Sequence, residues 1–182
     1  MRYVALLRGI NVGGNNMIKM ETLRATFASL GYENVKSYVN SGNLIFDVSS
    51  PHVSKGSSVD KELSTEIHEA IQKEFGFDIS VMVRTMDEMH EIVAKNPYVG
   101  QFENDKYMYV FFLNDELTAD QKKLLFEQAN DNELITVNNR SIYYMLRISI
   151  LDSALGKGFL DRKLKAPSTA RNWRTVKTIA EM

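Results

Sequence analysis

The sequence predicts an α+β protein: a ferredoxin-like β-α-β-β-α-β unit followed by a second, partly repeated α+β unit and a C-terminal helix. Three observations carry this. Short apolar runs of strand length alternate with apolar stripes at helical spacing, asparagine-rich turns join two pairs of strand-like runs, and reciprocal capping signals open two of the helices. With 182 residues, 44% of them apolar, the chain can bury a real core as one domain or two small ones. The element order divides it at residues 1–84 and 85–182.

The first unit reads in order. Tyr3 to Leu7 is a short apolar run suited to a buried strand, and Met20, Leu23, Phe27 and Leu30 recur at helical spacing before Gly31, where a helix-ending glycine belongs. Val35 to Val39 and Leu44 to Val48 flank Asn40-Ser41-Gly42-Asn43, a hairpin signal. Pro51 to Ser58 is serine-rich and reads as a flexible loop. Leu63, Ile67, Ala70, Ile71 and Phe75 form a second helical stripe ended by Gly76, and Ile79 to Val83 is a further strand.

The second unit repeats part of this grammar. Thr85-Met86-Asp87-Glu88 is a capping box for a helix that should stop before Asn96-Pro97, because the residue before proline is pushed out of the helical region. Tyr107 to Leu113 is a strongly apolar strand, and Thr118-Ala119-Asp120-Gln121 opens another capped helix. Leu134 to Val137 and Ile142 to Leu146 flank Asn138-Asn139, where asparagine tolerates the positive φ of a tight hairpin. A basic segment and a terminal helix over Ser168 to Ala180 complete the chain, so the second copy is expected to be incomplete. One sheet running through both units is the alternative.

Composition removes several functions. Cysteine is absent, which excludes disulfides, thiolate chemistry and cysteine-based zinc sites. The apolar run at the N-terminus is too short for a signal segment or a membrane span, so a cytoplasmic location with no membrane partner is expected. His52, His68 and His90 lie apart without the HExxH spacing, so no metal is expected. Ser41 lacks a nucleophile elbow and a base, and the carboxylates Asp47, Asp60 and Asp78 are scattered; the catalytic residues are therefore unknown. The formal charge of -1 hides an asymmetry: from Gly156 onward the chain carries +5, leaving -6 on the rest. Such a basic end either docks on its own acidic body or meets a polyanion.

Arg8-Gly9-Ile10-Asn11-Val12-Gly13-Gly14-Asn15-Asn16 is the clearest site signal. In a β-α-β-β-α-β unit the first two strands run parallel, so this loop and the 40–43 hairpin should emerge at one edge of the sheet. Glycines let a backbone approach a ligand closely, and a loop feeding a helix N-terminus presents unpaired N–H groups. Arg8 adds a forked donor, while Asn11, Asn15, Asn40 and Asn43 add amides. The loop lacks the lysine of a phosphate-binding P-loop and the glycine spacing of a dinucleotide fold. Turn formation alone is the competing explanation of Gly13, Gly14 and Gly42.

The segments LLRGINVGGNNMIKM, YVNSGNLIF, KNPY at 95–98 and TARNWRTV together resemble the bacterial family catalogued as domain of unknown function 1697. The resemblance spans nearly the whole chain. It implies ferredoxin-like elements and a bacterial, cytoplasmic setting, and brings no established activity. By resemblance, Arg8, Gly9, Asn11, Gly13, Gly14, Ser41, Gly42, Asn43, Arg171, Asn172 and Trp173 fall on the signature motifs.

The terminal motif is the second candidate. Pro167-Ser168 suits a helix start, and Trp173, Val176 and Ala180 make a docking stripe, with Arg171 and Arg174 placed to close a pocket over the glycine loop. Tyr107, Tyr109 and Phe111 alternate as in nucleic-acid-binding sheets, although a strand apolar on both faces is the mark of burial. The candidate ligand-binding set is thus Arg8, Asn11, Gly13, Gly14, Asn15, Asn40, Ser41, Gly42, Asn43, Arg171, Asn172 and Trp173. Two functions fit: a binding module for a phosphate-bearing partner, nucleotide or nucleic acid, and a small enzyme acting on a nucleotide-like metabolite, with Arg8 or Arg171 stabilising developing charge. No cofactor is expected, and nothing in the sequence sets an oligomeric state.

Overall fold

The computed structural model describes residues 1–49 and 58–182, so most of the serine-rich 51–58 loop, and His52 with it, lies outside the described residues. The chain divides into two compact units, Met1–His90 with Met182, and Glu91–Glu181.

In the first unit β1 (Arg2–Leu7), α1 (Met20–Ser29), β2 (Glu33–Tyr38), β3 (Asn43–Asp47), α2 (Val59–Phe75) and β4 (Val81–Thr85) follow one another, and α3 (Met86–Ala94) begins at once after β4. The sheet order is β2-β3-β1-β4 with every neighbouring pair antiparallel, which is the ferredoxin-like arrangement. Since β1 and β2 each run antiparallel to β3, their C-terminal ends share one edge.

Alternate residues divide the strands between two faces. Tyr3, Ala5, Leu7, Leu44, Phe46, Val81 and Val83 pack with Leu23 and Phe27 of α1 and Leu63, Ile67 and Ile71 of α2. Val4, Leu6, Ile45, Met82 and Arg84 on the other face are buried as well. Burial on both sides explains why these strands read as unbroken apolar runs rather than as alternations. Gly76 ends α2 in the left-handed conformation, as its place after the apolar stripe predicts.

The second unit repeats the order more fully than the sequence suggests: β5 (Met108–Leu113), α4 (Ala119–Gln128), β6 (Glu133–Asn138), β7 (Ser141–Leu146), α5 (Phe159–Arg162), β8 (Ser168–Asn172) and α6 (Trp173–Ala180). Its sheet, β6-β7-β5-β8, matches the first strand for strand, and the two sheets are separate. The expected helix over Ser168 to Ala180 is therefore corrected. Residues 168–172 pair antiparallel with β5, Leu113 opposite Ser168 and Tyr109 opposite Asn172, and the helix begins only at Trp173. The copy is complete because this strand fills the place of β4.

Capping follows the sequence closely. Thr85 and Glu88 exchange reciprocal bonds at the start of α3, Thr118 and Gln121 do so at α4, and the Asn172 side chain accepts from the Thr175 N–H at α6. Trp173, Val176, Ile179 and Ala180 form the buried stripe of α6, which packs on β5 and β8. Of the three alternating aromatics, Phe111 is buried among Tyr144, Leu125 and Leu160 and Tyr109 packs partly buried against the same core, while Tyr107 lies in a short turn before β5.

Candidate functional site

The edge shared by β1 and β2 gathers the two polar loops of the first unit. β1 pairing continues beyond the strand, with the Leu7 N–H donating to the Gly42 carbonyl at 2.8 Å and the Arg8 N–H to the Ser80 carbonyl at 3.0 Å. The chain then leaves the sheet as a small hairpin of its own. The Asn11 N–H donates to the Asn16 carbonyl and the Asn15 N–H to the Val12 carbonyl, with Gly13 (φ +59°) and Gly14 (φ +80°) between. Positive φ at both central positions is the signature of a type I′ turn. α1 starts six residues beyond Gly14, so the glycines form a hairpin tip rather than the first turn of the helix.

Asn11 joins the two loops. Its carboxamide oxygen accepts from the Ile18 N–H at 2.8 Å, and its Nδ2 donates to the Ile18 carbonyl at 3.0 Å and to the Asn40 carbonyl at 2.9 Å. Asn16 braces the base of the loop by donating to the Gly9 carbonyl. Asn43 is fully buried, and its Nδ2 donates to the Tyr38 carbonyl and to Ser41 Oγ, closing the β2–β3 hairpin. Gly42 is needed for space as well as for its φ of +81°. A Cβ there would lie 2.7 Å from Leu7 Cβ and 2.9 Å from Ile10 Cδ1. Asn11, Gly42 and Asn43 therefore hold the fold in the form that presents the rest.

The rest is open to solvent. Gly13, Gly14, Asn15 and Asn40 are exposed, and Arg8 and Ser41 are half-buried beside them. A Cβ at Gly14 would meet nothing within 4 Å, and at Gly13 only the tip of the Asn15 amide at 4.0 Å. The Asn15 and Asn40 amides have no hydrogen-bond partner among the described residues. Val39, in the same hairpin, holds φ +50°, a conformation that a β-branched residue avoids.

Arg171, Asn172 and Trp173 belong to the second unit, and each has work there. Arg171 is buried on β8 opposite Val110, and its guanidinium donates to Thr169 Oγ1 at 2.7 Å and to the Ala170 carbonyl. Burial pulls its pKa down to about 10. Asn172 caps α6 and Trp173 is buried. Sequence reasoning missed the matching arginine of the first unit, Arg84, which is buried on β4 opposite Val4 and likewise donates to the carbonyl of the residue before it. The signal was available: Arg84-Thr85 and Arg171-Asn172 both place an arginine just before a helix cap.

His68 lies against the Ile79 carbonyl at 2.9 Å, and no group of three metal-ligating side chains occurs among the described residues. No helix among them is long and apolar enough to cross a membrane.

Comparison with known proteins agrees with the fold. No curated protein matches the chain. A solved structure described as that of the conserved bacterial protein SP0830 from Streptococcus pneumoniae is similar to it, with a TM-score of 0.75 and 25% identity over 99% of this chain and 97% of that one. A family model described as a protein of unknown function, DUF1697, matches residues 1–143, and together with the motifs at residues 6–20 and 38–46 this places the chain in that family.

Proposed function

We propose that the protein is a binding module for a phosphate-bearing ligand, held at the exposed tip of the 8–16 loop and the neighbouring hairpin. The observation that carries this reading is the Asn11 clasp, which ties two polar loops together while leaving Gly13, Gly14, Asn15 and Asn40 uncovered. The sign of φ supports it too: positive at Gly9, negative at Ile10, positive at Asn11, negative at Val12 and positive at Gly13. Alternation of this kind curves a backbone as in anion-binding nests, with the Asn11 N–H here taken by the Asn16 carbonyl. The Gly13 and Gly14 N–H groups have no acceptor among the described residues. Arg8, next to the strand end, supplies charge-assisted donors.

The ligand-contacting set is thereby narrowed to Arg8, Gly13, Gly14, Asn15, Asn40 and Ser41. The test is a thermal-shift screen with inorganic phosphate, sugar phosphates, nucleotides and short RNA and DNA, since a ligand of the native state raises apparent stability by mass action. Arg8→Ala should weaken the shift more than it lowers the unliganded melting temperature. A parent protein that no phosphate-bearing compound stabilises would refute the reading. Retained binding in Arg8→Ala would remove the arginine from it.

A further inference from the structure

The same loops expose apolar groups that a bare phosphate would not use. Val12, Met17 and Val39 are 59%, 64% and 49% exposed, well above the level of an ordinary core or rim residue. They are the immediate chain neighbours of Asn11, Ile18 and Asn40, the three residues that the Asn11 carboxamide joins by bonds of 2.8–3.0 Å. The three apolar side chains thus project from backbone gathered around a single amide group. Val39 is held there in the left-handed region with its side chain half in solvent, so core packing does not account for its strain, and strain of this kind collects at ligand-binding positions.

We propose, resting on the phosphate-binding reading above, that the ligand is a single nucleotide: one phosphate joined through a sugar to a nucleobase. Aliphatic side chains beside unpartnered carboxamides suit a flat heteroaromatic ring. Its faces pack on Val12, Met17 and Val39, and its polar edge meets the donor and acceptor of the Asn15 and Asn40 amides. A sugar phosphate would leave the three apolar groups in water. Charge sets the number of phosphates. Arg8 is the one charged residue in 8–16 and 39–43, and residues 1–90 hold nine basic and eleven acidic side chains. A polyanionic strand needs many cations along its path, whereas one phosphate needs one arginine and a few backbone N–H groups.

Calorimetric titration of the full chain with adenosine, guanosine, cytidine and uridine 5′-monophosphates, ribose 5-phosphate and a 12-mer RNA tests this, with the double variant Val12→Ser/Met17→Gln as control. At least one monophosphate should bind tenfold or more tightly than ribose 5-phosphate. The double variant, whose changed side chains are exposed, should keep the parent melting temperature and its affinity for ribose 5-phosphate but lose the tenfold advantage. Equal binding of ribose 5-phosphate and all four monophosphates overturns the nucleotide proposal and leaves the phosphate reading standing. Tighter, strongly salt-dependent binding of the RNA overturns it in favour of a strand. An undiminished advantage in the double variant overturns the assigned base contacts, and no binding by any probe overturns both readings.

Discussion

The two units share one topology and differ in what they build at one end of the sheet. Between β1 and α1 the first unit uses residues 8–19; between β5 and α4 the second uses only 114–118, ending in a capping box. The β2–β3 turn is the four-residue segment 39–42, the β6–β7 turn the two-residue Asn139-Arg140. The bond that closes the edge is nevertheless the same in both, Leu7 N–H to Gly42 carbonyl and Leu113 N–H to Arg140 carbonyl. The second unit therefore acts as an internal control. It shows how short a connection this fold needs; in the longer connections of the first unit Ile10 and Ile18 return to the core, while residues 12–15 and 39–40 are left exposed.

Breaking the shared bond geometry should have the largest effect. Gly42→Ala places a Cβ against Leu7 and Ile10 and forces a left-handed φ on alanine, at a cost of about 3 kcal/mol. Its counterpart Arg140→Ala brings no positive-φ demand and no added atoms, so it should cost clearly less than Gly42→Ala, about 1 kcal/mol. Urea denaturation of the two variants tests the contrast, and equal losses would deny it.

Alkaline pH probes the second unit's core. Tyr143 is fully buried, donates to the Ile92 carbonyl, and has its pKa pushed up to about 12, chiefly by burial. An unfolded tyrosine releases its proton near pH 10, so the folded state binds more protons above that pH, and stability falls as pH rises toward 12. Arg171 acts in the opposite sense. Its folded pKa of about 10 lies below the unfolded value of 12.5, so it adds stability as pH climbs above 10. Between pH 8 and 11, Tyr143→Phe should reduce the loss of stability by about 1 kcal/mol relative to the parent. An identical loss in both proteins would assign the alkaline transition to other groups, such as Tyr32, whose pKa burial and its bond to Glu66 also raise.

Asn11 and Asn15 offer the sharpest contrast within one loop. Asn11→Ala removes three hydrogen bonds and should cost about 2 kcal/mol, while Asn15→Ala should cost less than about 0.5 kcal/mol and weaken only ligand binding. Caps come next in size. Thr118→Ala, which removes the hydroxyl that accepts from the Gln121 N–H and leaves the backbone half of the α4 capping box in place, should cost about 1 kcal/mol by thermal melting.

Much of the fold was legible because period and punctuation agree. Stripes such as Leu63-Ile67-Ile71, the glycines at 31 and 76, and the caps at Thr85 and Thr118 are local signals that tertiary packing did not override. β8 was not legible. Ser168-Thr169-Ala170-Arg171-Asn172 lacks apolar alternation, follows a proline and precedes a true helix, so its identity as a strand rests on pairing with β5, a long-range contact. Arg171 misled for the same reason, since charge suggests solvent and only the sheet buries it. For the candidate site, the sequence placed the two polar loops at one sheet edge, as the pairing of β1 and β2 with β3 has them, but could not sort their asparagines. Whether an amide clasps the loop, as Asn11 does, or stands free, as Asn15 does, depends on backbone distances set by the hairpin next to it.

The smallest effect on stability belongs to the substitution that best isolates the extra length of the first unit. Gly13 sits at the first central position of a type I′ turn, where asparagine is the preferred partner of a following glycine. Gly13→Asn therefore keeps the turn, and since the space beside its Cα is open, the melting temperature should stay within about 2 °C of the parent, the shift expected for a ΔΔG of under about 0.5 kcal/mol in a chain of this size. What changes is the exposed surface, where a carboxamide would stand in front of the Gly13 and Gly14 N–H groups. Loss of the phosphate-dependent thermal shift in a variant that melts with the parent would separate the tip of the loop from the fold that carries it. A variant that melts early would instead make the tip part of the fold, and the long connection of the first unit would then be structural.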